Sequence, residues 1–255
     1  MCHDDSLALD DAVERILICR RATASTRSVL VAVTGIDGCG KGFATERLVA
    51  ALQARGLRTA AVNIDGWLNL PGRRFDASNP APHFYQHAIR FDDLFATLVL
   101  PLRDTRSIHL EADFVEETAT GYRRQVYEYA DIDVILLEGI YLLKRAFVAH
   151  YDISIWIDCT FETALERAVA RAQEGLPPDE TVHAYRTIYF PAQALHFERD
   201  DPKAAATIVV ANDPRLISIG GALGDEGAAT MPRRVDLHDR AAVIHARCAD
   251  LTADS

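Results

Sequence analysis

Apolar positions along this chain follow two periods, and the changes between them mark its elements. Unbroken apolar runs cover residues 29–33 and 134–137, with 153–158 and 206–210 close to unbroken and a looser run at 58–64. They are rich in valine and isoleucine, the pattern of strands buried on both faces. Elsewhere apolar residues return every three or four positions, which predicts helices. Leu7, Leu9, Val13, Ile16 and Leu17 mark a helix over 7–22; Phe43, Leu48, Val49 and Leu52 mark another over 43–55 that stops at Gly56. Phe84, Ala88, Phe91, Phe95 and Leu98 give a stripe over 82–102, broken near Arg90 and restarted with Asp92 as its cap. Residues 161–173 and 179–198 read as two more helices around the break Gly175-Leu-Pro-Pro178.

Residues 107–115 and 122–129 alternate apolar with polar across a short polar link, which predicts a hairpin. Strands alternating with helices specify an α/β fold: a five-stranded, mainly parallel sheet with helices on both faces and a β-hairpin inserted at about 106–129. One domain over 1–214 is expected, then a partly irregular tail over 215–255 with one helix at 237–248.

Composition narrows the function. At 255 residues and 49% hydrophobic, the chain can bury one sizeable core. A net charge of −10 opposes general nucleic-acid binding. Cys2, Cys19, Cys39, Cys159 and Cys248 lack C-x-x-C spacing, which predicts free thiols in a reducing compartment. No stretch reaches membrane-spanning length, and the start of the chain is acidic. The expectation is a cytoplasmic protein with a small-molecule partner, no nucleic acid and no membrane; a homo-oligomer is left open.

The strongest motif follows the first strand: Gly35, Ile36, Asp37, Gly38, Cys39, Gly40, Lys41 and Gly42, then Phe43 as the next helix begins. Three glycines let successive N–H groups point into one concavity at a helix N-terminus, and Lys41 adds a cation for β- and γ-phosphates. The pattern normally continues with Ser or Thr, whose hydroxyl binds magnesium; here that position is Gly42. This is a P-loop layout that cradles phosphate and lacks one metal ligand.

Asp65 and Glu138 sit at the ends of predicted strands, on the sheet edge where the cradle must also lie. Phosphoryl transfer to an alcohol needs a carboxylate to take the hydroxyl proton and cations near the γ-phosphate. Asp65 is the candidate base and Glu138 the candidate magnesium contact; the alternative is that each caps the next turn. Asp158, also at a strand end, is read as a cap for the following helix. Arg167 and Arg171 are candidate lid residues in a segment over about 167–180, the alternative being a solvated face paired with Glu162, Glu166 or Glu174. His83 and His87 have zinc-pair spacing without a third ligand, so a helix face is the preferred reading. Arg73, Arg74, Tyr85, Arg90, Asp113 and Phe114 are candidates for an acceptor pocket. Trp67, in the turn-rich loop 65–72, reads as exposed.

Assembled in this order, the chain resembles the uridine kinase family, within the group that includes phosphoribulokinase and pantothenate kinase, from about Val29 to Asp213. The resemblance implies a P-loop kinase fold in which the hairpin helps form the acceptor site. It also implies ATP and Mg2+ as cofactors, with Asp65 as base, Glu138 with the magnesium and Phe114 against a nucleoside. Asp113-Phe-Val115 is similar to a family signature, and Thr187 to Phe197 to a later family helix. Ala112 stands where uridine kinases place a base-contacting tyrosine. Glu116 and Glu117 lie near the position of their pyrimidine-recognising histidine, and Glu174 to Pro178 replaces an arginine-rich segment. The implied activity is transfer of the ATP γ-phosphate to a hydroxyl of a small metabolite such as a nucleoside. The alternative is a nucleotide-binding regulatory protein with weak or no kinase activity.

Overall fold

The structure is a computed structural model that describes residues 3–172 and 176–216. Five strands, β1 (Val29–Gly35), β2 (Thr59–Asn63), β5 (Val134–Gly139), β6 (Ile153–Asp158) and β7 (Ile208–Ala211), form one sheet in the order β2-β5-β1-β6-β7. Every pairing is parallel. The remaining two, β3 (Ile108–Phe114) and β4 (Arg123–Tyr129), pair antiparallel as a separate hairpin. The expected α/β class, the five parallel strands and the inserted hairpin are all present.

β1 is central and buried at all seven residues, which is why its apolar run is continuous. Strand order reverses beside it, since β1 leads across to β2 on one side and β6 follows on the other. The crevice outside the carboxyl ends of the strands opens at this switch point. The opposite edge is closed by ion pairs: Arg27 donates to both carboxylate oxygens of Asp152 at 2.7 and 2.9 Å, and Arg106 meets Asp133 at 2.6 Å.

Helices His3–Ala22 and Lys41–Gln53 match their expected positions, the first beginning earlier than its apolar pattern. The 82–102 stripe resolves into Pro80–His87 and a second helical stretch from Phe91 to Thr105. The break is where expected, because Ile89 bridges to Leu68. Asp92 is not the cap: Arg90 occupies that position and Asp92 lies in the first turn. Nor does Asp158 cap the helix Phe161–Arg171. Thr160 does, accepting from the Thr163 amide at 3.3 Å, while Asp158 pairs with Lys203.

The long helical stretches contain π-turns at Phe95–Val99 and Tyr185–Tyr189. In each the last amide, Leu100 or Phe190, bonds back five residues, to Phe95 or Tyr185. In each the next residue is proline, Pro101 or Pro191. A proline ring clashes with the carbonyl four residues earlier, and widening the turn ahead of it relieves that clash without ending the helix.

The loop after β2 is more ordered than expected, with a 3-10 turn at Ile64–Trp67 and a helical turn at Pro71–Arg74. Trp67 is 1% exposed, packed against Tyr127 and under the Arg90 guanidinium, so the reading of it as exposed is corrected. Cys19, Cys39 and Cys159 are free thiols. Among the described residues no helix is long and apolar enough to cross a membrane. Glu174, Gly175, Cys2, Cys248 and the tail helix at 237–248 lie outside the described residues.

Candidate active site

The cradle starts where β1 ends. Gly38 and Gly40 take φ of +77° and +95°, a region that L side chains rarely adopt, and a methyl group at either would collide with Ala164 or Asn212. These two left-handed residues turn the chain so that Gly40 becomes the N-cap of helix Lys41–Gln53, which no side chain caps. The first-turn amides and the positive end of the helix dipole therefore face the crevice. From outside, Asn212 and Arg167 donate to the Cys39 carbonyl at 2.7 and 3.3 Å and fix the loop's shape.

Lys41 is 8% exposed, its Nζ donating to the Ile36 carbonyl at 2.9 Å. Burial pulls its pKa down, but the neighbouring Cys39 and the carboxylates of Asp37, Glu138 and Asp65 outweigh burial and hold it above the ordinary lysine value. The ammonium stays charged.

Asp65 and Glu138 are brought together by the β2–β5 register, which pairs Asn63 with Glu138. The Asn63 carbonyl oxygen accepts from the Asp65 amide at 2.7 Å, and its Nδ2 donates to Glu138 at 3.3 Å. One side chain thus orients both carboxylates. Asp65 is exposed to solvent where it lines the crevice, although protein packs densely around it. Burial raises its pKa and that of Glu138, and Lys41 opposes the rise in both. Position 42 adjoins this group: a Cβ built there would lie 4.0 Å from Glu138 Oε2, with space for a side chain.

On the far side, Asp37 ties the helices that follow β6 to the loop. It accepts from Tyr185 at 2.8 Å and from the Gly38 amide at 2.9 Å, and lies 3.8 Å from Arg171. The π-turn contributes to this arrangement. Over eight α-helical residues Tyr185 and Gln193 would drift about 80° apart; the wider turn between them takes back part of that angle, and Tyr189 and Gln193 both line the crevice.

The crevice has a volume of about 210 Å³. Of the expected residues it brings together Asp37, Gly38, Gly40, Lys41, Gly42, Asp65, Arg74, Glu138 and Arg171. Gly35, Ile36, Cys39 and Phe43 shape the loop from behind or beside it; Phe43 is 54% exposed beneath Arg47. Arg167 faces the back of the loop, near Cys39 and Cys159. Tyr85 donates to Asp200 instead of facing the crevice, and Asp113 pairs with Arg124 at 2.8 Å. The Phe114 ring packs on Gly66 with the Arg123 guanidinium over it. Arg90 donates to the Asp113 carbonyl, and the Arg73 carbonyl meets His83. The His83 and His87 rings lie 4.5 Å apart, tilted by 48°, and no group of three metal-ligating side chains occurs among the described residues.

Sequence reasoning missed Asn63, Tyr185, Tyr189, Gln193 and Asn212. Asn63, two residues before Asp65, was findable as the cap of a turn after a strand. The other four depend on the path of the chain.

The residues present fit a magnesium nucleotide. Magnesium takes one or two carboxylates and completes its shell with phosphate oxygens and water, and Glu138 and Asp65 flank an amide-lined cradle with a charged lysine.

The chain's fold is similar to a possible uridine kinase from Bacillus stearothermophilus, with 17% identity, a TM-score of 0.62, and coverage of 79% of this chain and 96% of the other. It is similar to a candidate fructose transport system kinase from Silicibacter sp. TM1040, with 21% identity, a TM-score of 0.56, and coverage of 77% and 97%. A D-glycerate 3-kinase from Cryptococcus neoformans matches at 13% identity and a TM-score of 0.54, over 76% and 88%. At such identities these likenesses establish the fold of P-loop kinases. A family model described as phosphoribulokinase / uridine kinase matches residues 30–175, more than half of the sequence. With phosphate cradle, lysine and paired carboxylates all inside that span, the chain belongs to the phosphoribulokinase/uridine kinase family.

Proposed function

We propose that the protein transfers the γ-phosphate of ATP to a hydroxyl of a small molecule. The observation that carries this is the convergence of Lys41, Asp65 and Glu138 in one crevice at the free N-terminus of a helix. The loop amides and Lys41 hold the polyphosphate and balance the charge that develops on it. Asp65 accepts the proton as the acceptor O–H bond breaks. The acceptor oxygen bonds to the γ-phosphorus, whose bond to the β,γ-bridging oxygen breaks to leave ADP. Burial favours this role, because a carboxylate with a raised pKa is a stronger base. Glu138 would hold magnesium, which supplies charge neutralisation across the phosphates when bound. Arg171 reaches the crevice from the lid side and would meet the transferred group. The structural neighbours, named as a possible uridine kinase, a candidate fructose transport system kinase and a D-glycerate 3-kinase, frame the acceptor as a small hydroxyl compound.

A second reading, a nucleotide-binding regulatory protein with weak or no transfer, is favoured by Gly42 alone. The experiment that separates the two incubates the purified protein with Mg2+, ATP and a metabolite panel, and looks by mass spectrometry for the gain of one phosphate. Transfer that is lost in Lys41→Ala and Asp65→Asn supports the kinase. Tight ATP binding with no acceptor modified across the panel supports the regulator.

A further inference from the structure

The half of the crevice away from the cradle holds two buried polar groups whose hydrogen-bonding capacity the protein leaves unused. Gln193 is 1% exposed, and neither its Nε2 nor its Oε1 has a partner. Arg74 is 4% exposed; one terminal nitrogen donates to the Glu117 carbonyl at 2.7 Å, while Nε has no partner. Both line the crevice that contains Asp65. Buried polar atoms left this way cost stability, and a ligand that completes them offsets that cost.

The unused atoms describe their ligand. The amide of Gln193 needs an acceptor and a donor side by side, and Arg74 Nε needs an acceptor; a set of neighbouring hydroxyls supplies both. Net negative charge is not required, because Glu117 is the foremost opposing charge on the Arg74 guanidinium. Leu68, Phe84 and Ile140 form the apolar part of the wall, suited to C–H faces between hydroxyls. The crevice's roughly 210 Å³ must also receive phosphate, and it is small beside typical pockets for drug-sized ligands.

We propose that Gln193 and Arg74 form the acceptor-recognition subsite, and that the acceptor is an uncharged polyhydroxylated molecule of monosaccharide size. The proposal rests on the phosphotransfer reading above.

The test uses the full-length protein with Mg2+ and ATP and three acceptor sets: free monosaccharides and polyols, sugar phosphates and hydroxy acids, and nucleosides. Turnover is read as ADP release and acceptor mass. Binding of the same compounds is read by calorimetry on protein saturated with a non-hydrolysable ATP analogue. The expected kcat/KM is at least about tenfold higher for a free sugar or polyol than for either other set. Gln193→Leu should raise that acceptor's KM by about tenfold, leave the KM for ATP within about twofold, and leave the melting temperature unchanged or higher. Preference for nucleosides or anionic acceptors overturns the proposal and leaves phosphotransfer standing. So does a Gln193→Leu protein that melts lower with its acceptor KM intact, since the amide would then serve the fold. Polyol binding without transfer, abolished in Gln193→Leu, upholds the subsite and refutes phosphotransfer. Neither binding nor transfer refutes both.

Discussion

Gly42 faces Glu138 across open space, so the hydroxyl that P-loops usually place there can be restored without displacing a neighbour. Gly42→Ser should lower the Mg2+ concentration for half-maximal turnover by about three- to tenfold, equivalent to about 0.7–1.4 kcal/mol. Helix propensity adds a few tenths of a kcal/mol of stability or slightly more, because glycine is the costlier residue in a helix. A magnesium titration of both proteins checks this, and an unchanged midpoint would place the metal away from the first helical turn. Asp65 carries the matching pH prediction. Its folded-state pKa lies above the ordinary aspartate value, so the base is charged only above that raised value, and kcat/KM should fall as pH drops through it. The same shift makes the charged carboxylate a stability cost at neutral pH. Asp65→Asn should therefore lose about 10²- to 10⁴-fold in kcat while melting no lower than the parent at pH 7. At this scale the sequence was informative wherever chemistry requires a residue type at a fixed spacing from a motif. It was silent on Gln193, and on Asn212, whose side chain meets the Cys39 carbonyl 173 residues away along the chain.

Among the elements, β1, β5 and β6 were legible because burial on both faces demands unbroken apolar runs. β7 begins at Ile208, two residues later than its apolar run. Thr207 ahead of it donates its amide to Ser154 Oγ at 3.0 Å and accepts at Oγ1 from the Ser154 amide at 3.2 Å, and the register with β6 starts only at Ile155–Ile208. The π-turns carry no signature in hydrophobic period; each is betrayed only by the proline that follows. The turn at Tyr185–Tyr189 has a testable consequence, since it supports the Tyr185 hydroxyl bond to Asp37 between this helical stretch and the phosphate loop. Tyr185→Phe keeps the buried ring and removes that bond, a loss of about 1 kcal/mol. The KM for ATP should rise about fivefold with kcat changed less, because Asp37 shapes the cradle and does not meet the acceptor proton. Equal losses in kcat and kcat/KM, with KM unchanged, would instead place Tyr185 in the transition state.

For the whole molecule, the helix that carries Gln193 to the crevice rests on a buried polar hub that joins three parts of the chain. Asp200 accepts from Tyr85, from His196 at 2.7 Å and from the Arg145 amide at 3.0 Å. Beside it, Lys144 lies over the rings of Tyr85, Phe91 and Tyr141 and donates to the Tyr85 carbonyl. The hub was not visible in the sequence, where Tyr85 read as a candidate for the acceptor pocket and Lys144, His196 and Asp200 were not singled out. Burial pulls the Lys144 pKa down to about 8; Asp200 and Asp92 oppose the fall and Arg199 adds to it. Below pH 8 folded and unfolded chains both hold the proton, and the penalty for burying the charge is constant. Between about pH 8 and the ordinary lysine value, the unfolded chain binds a proton that the folded chain lacks, so this group's contribution to stability rises with pH. Urea unfolding of the parent and of Lys144→Met at pH 7, 8, 9 and 10 isolates the effect, since other titrations are common to both proteins. The parent should gain on the variant by on the order of 2 kcal/mol between pH 8 and pH 10. A difference that stays flat would mean that water reaches the ammonium, and the hub would then be too open to hold the helix bearing Tyr189 and Gln193 in one position.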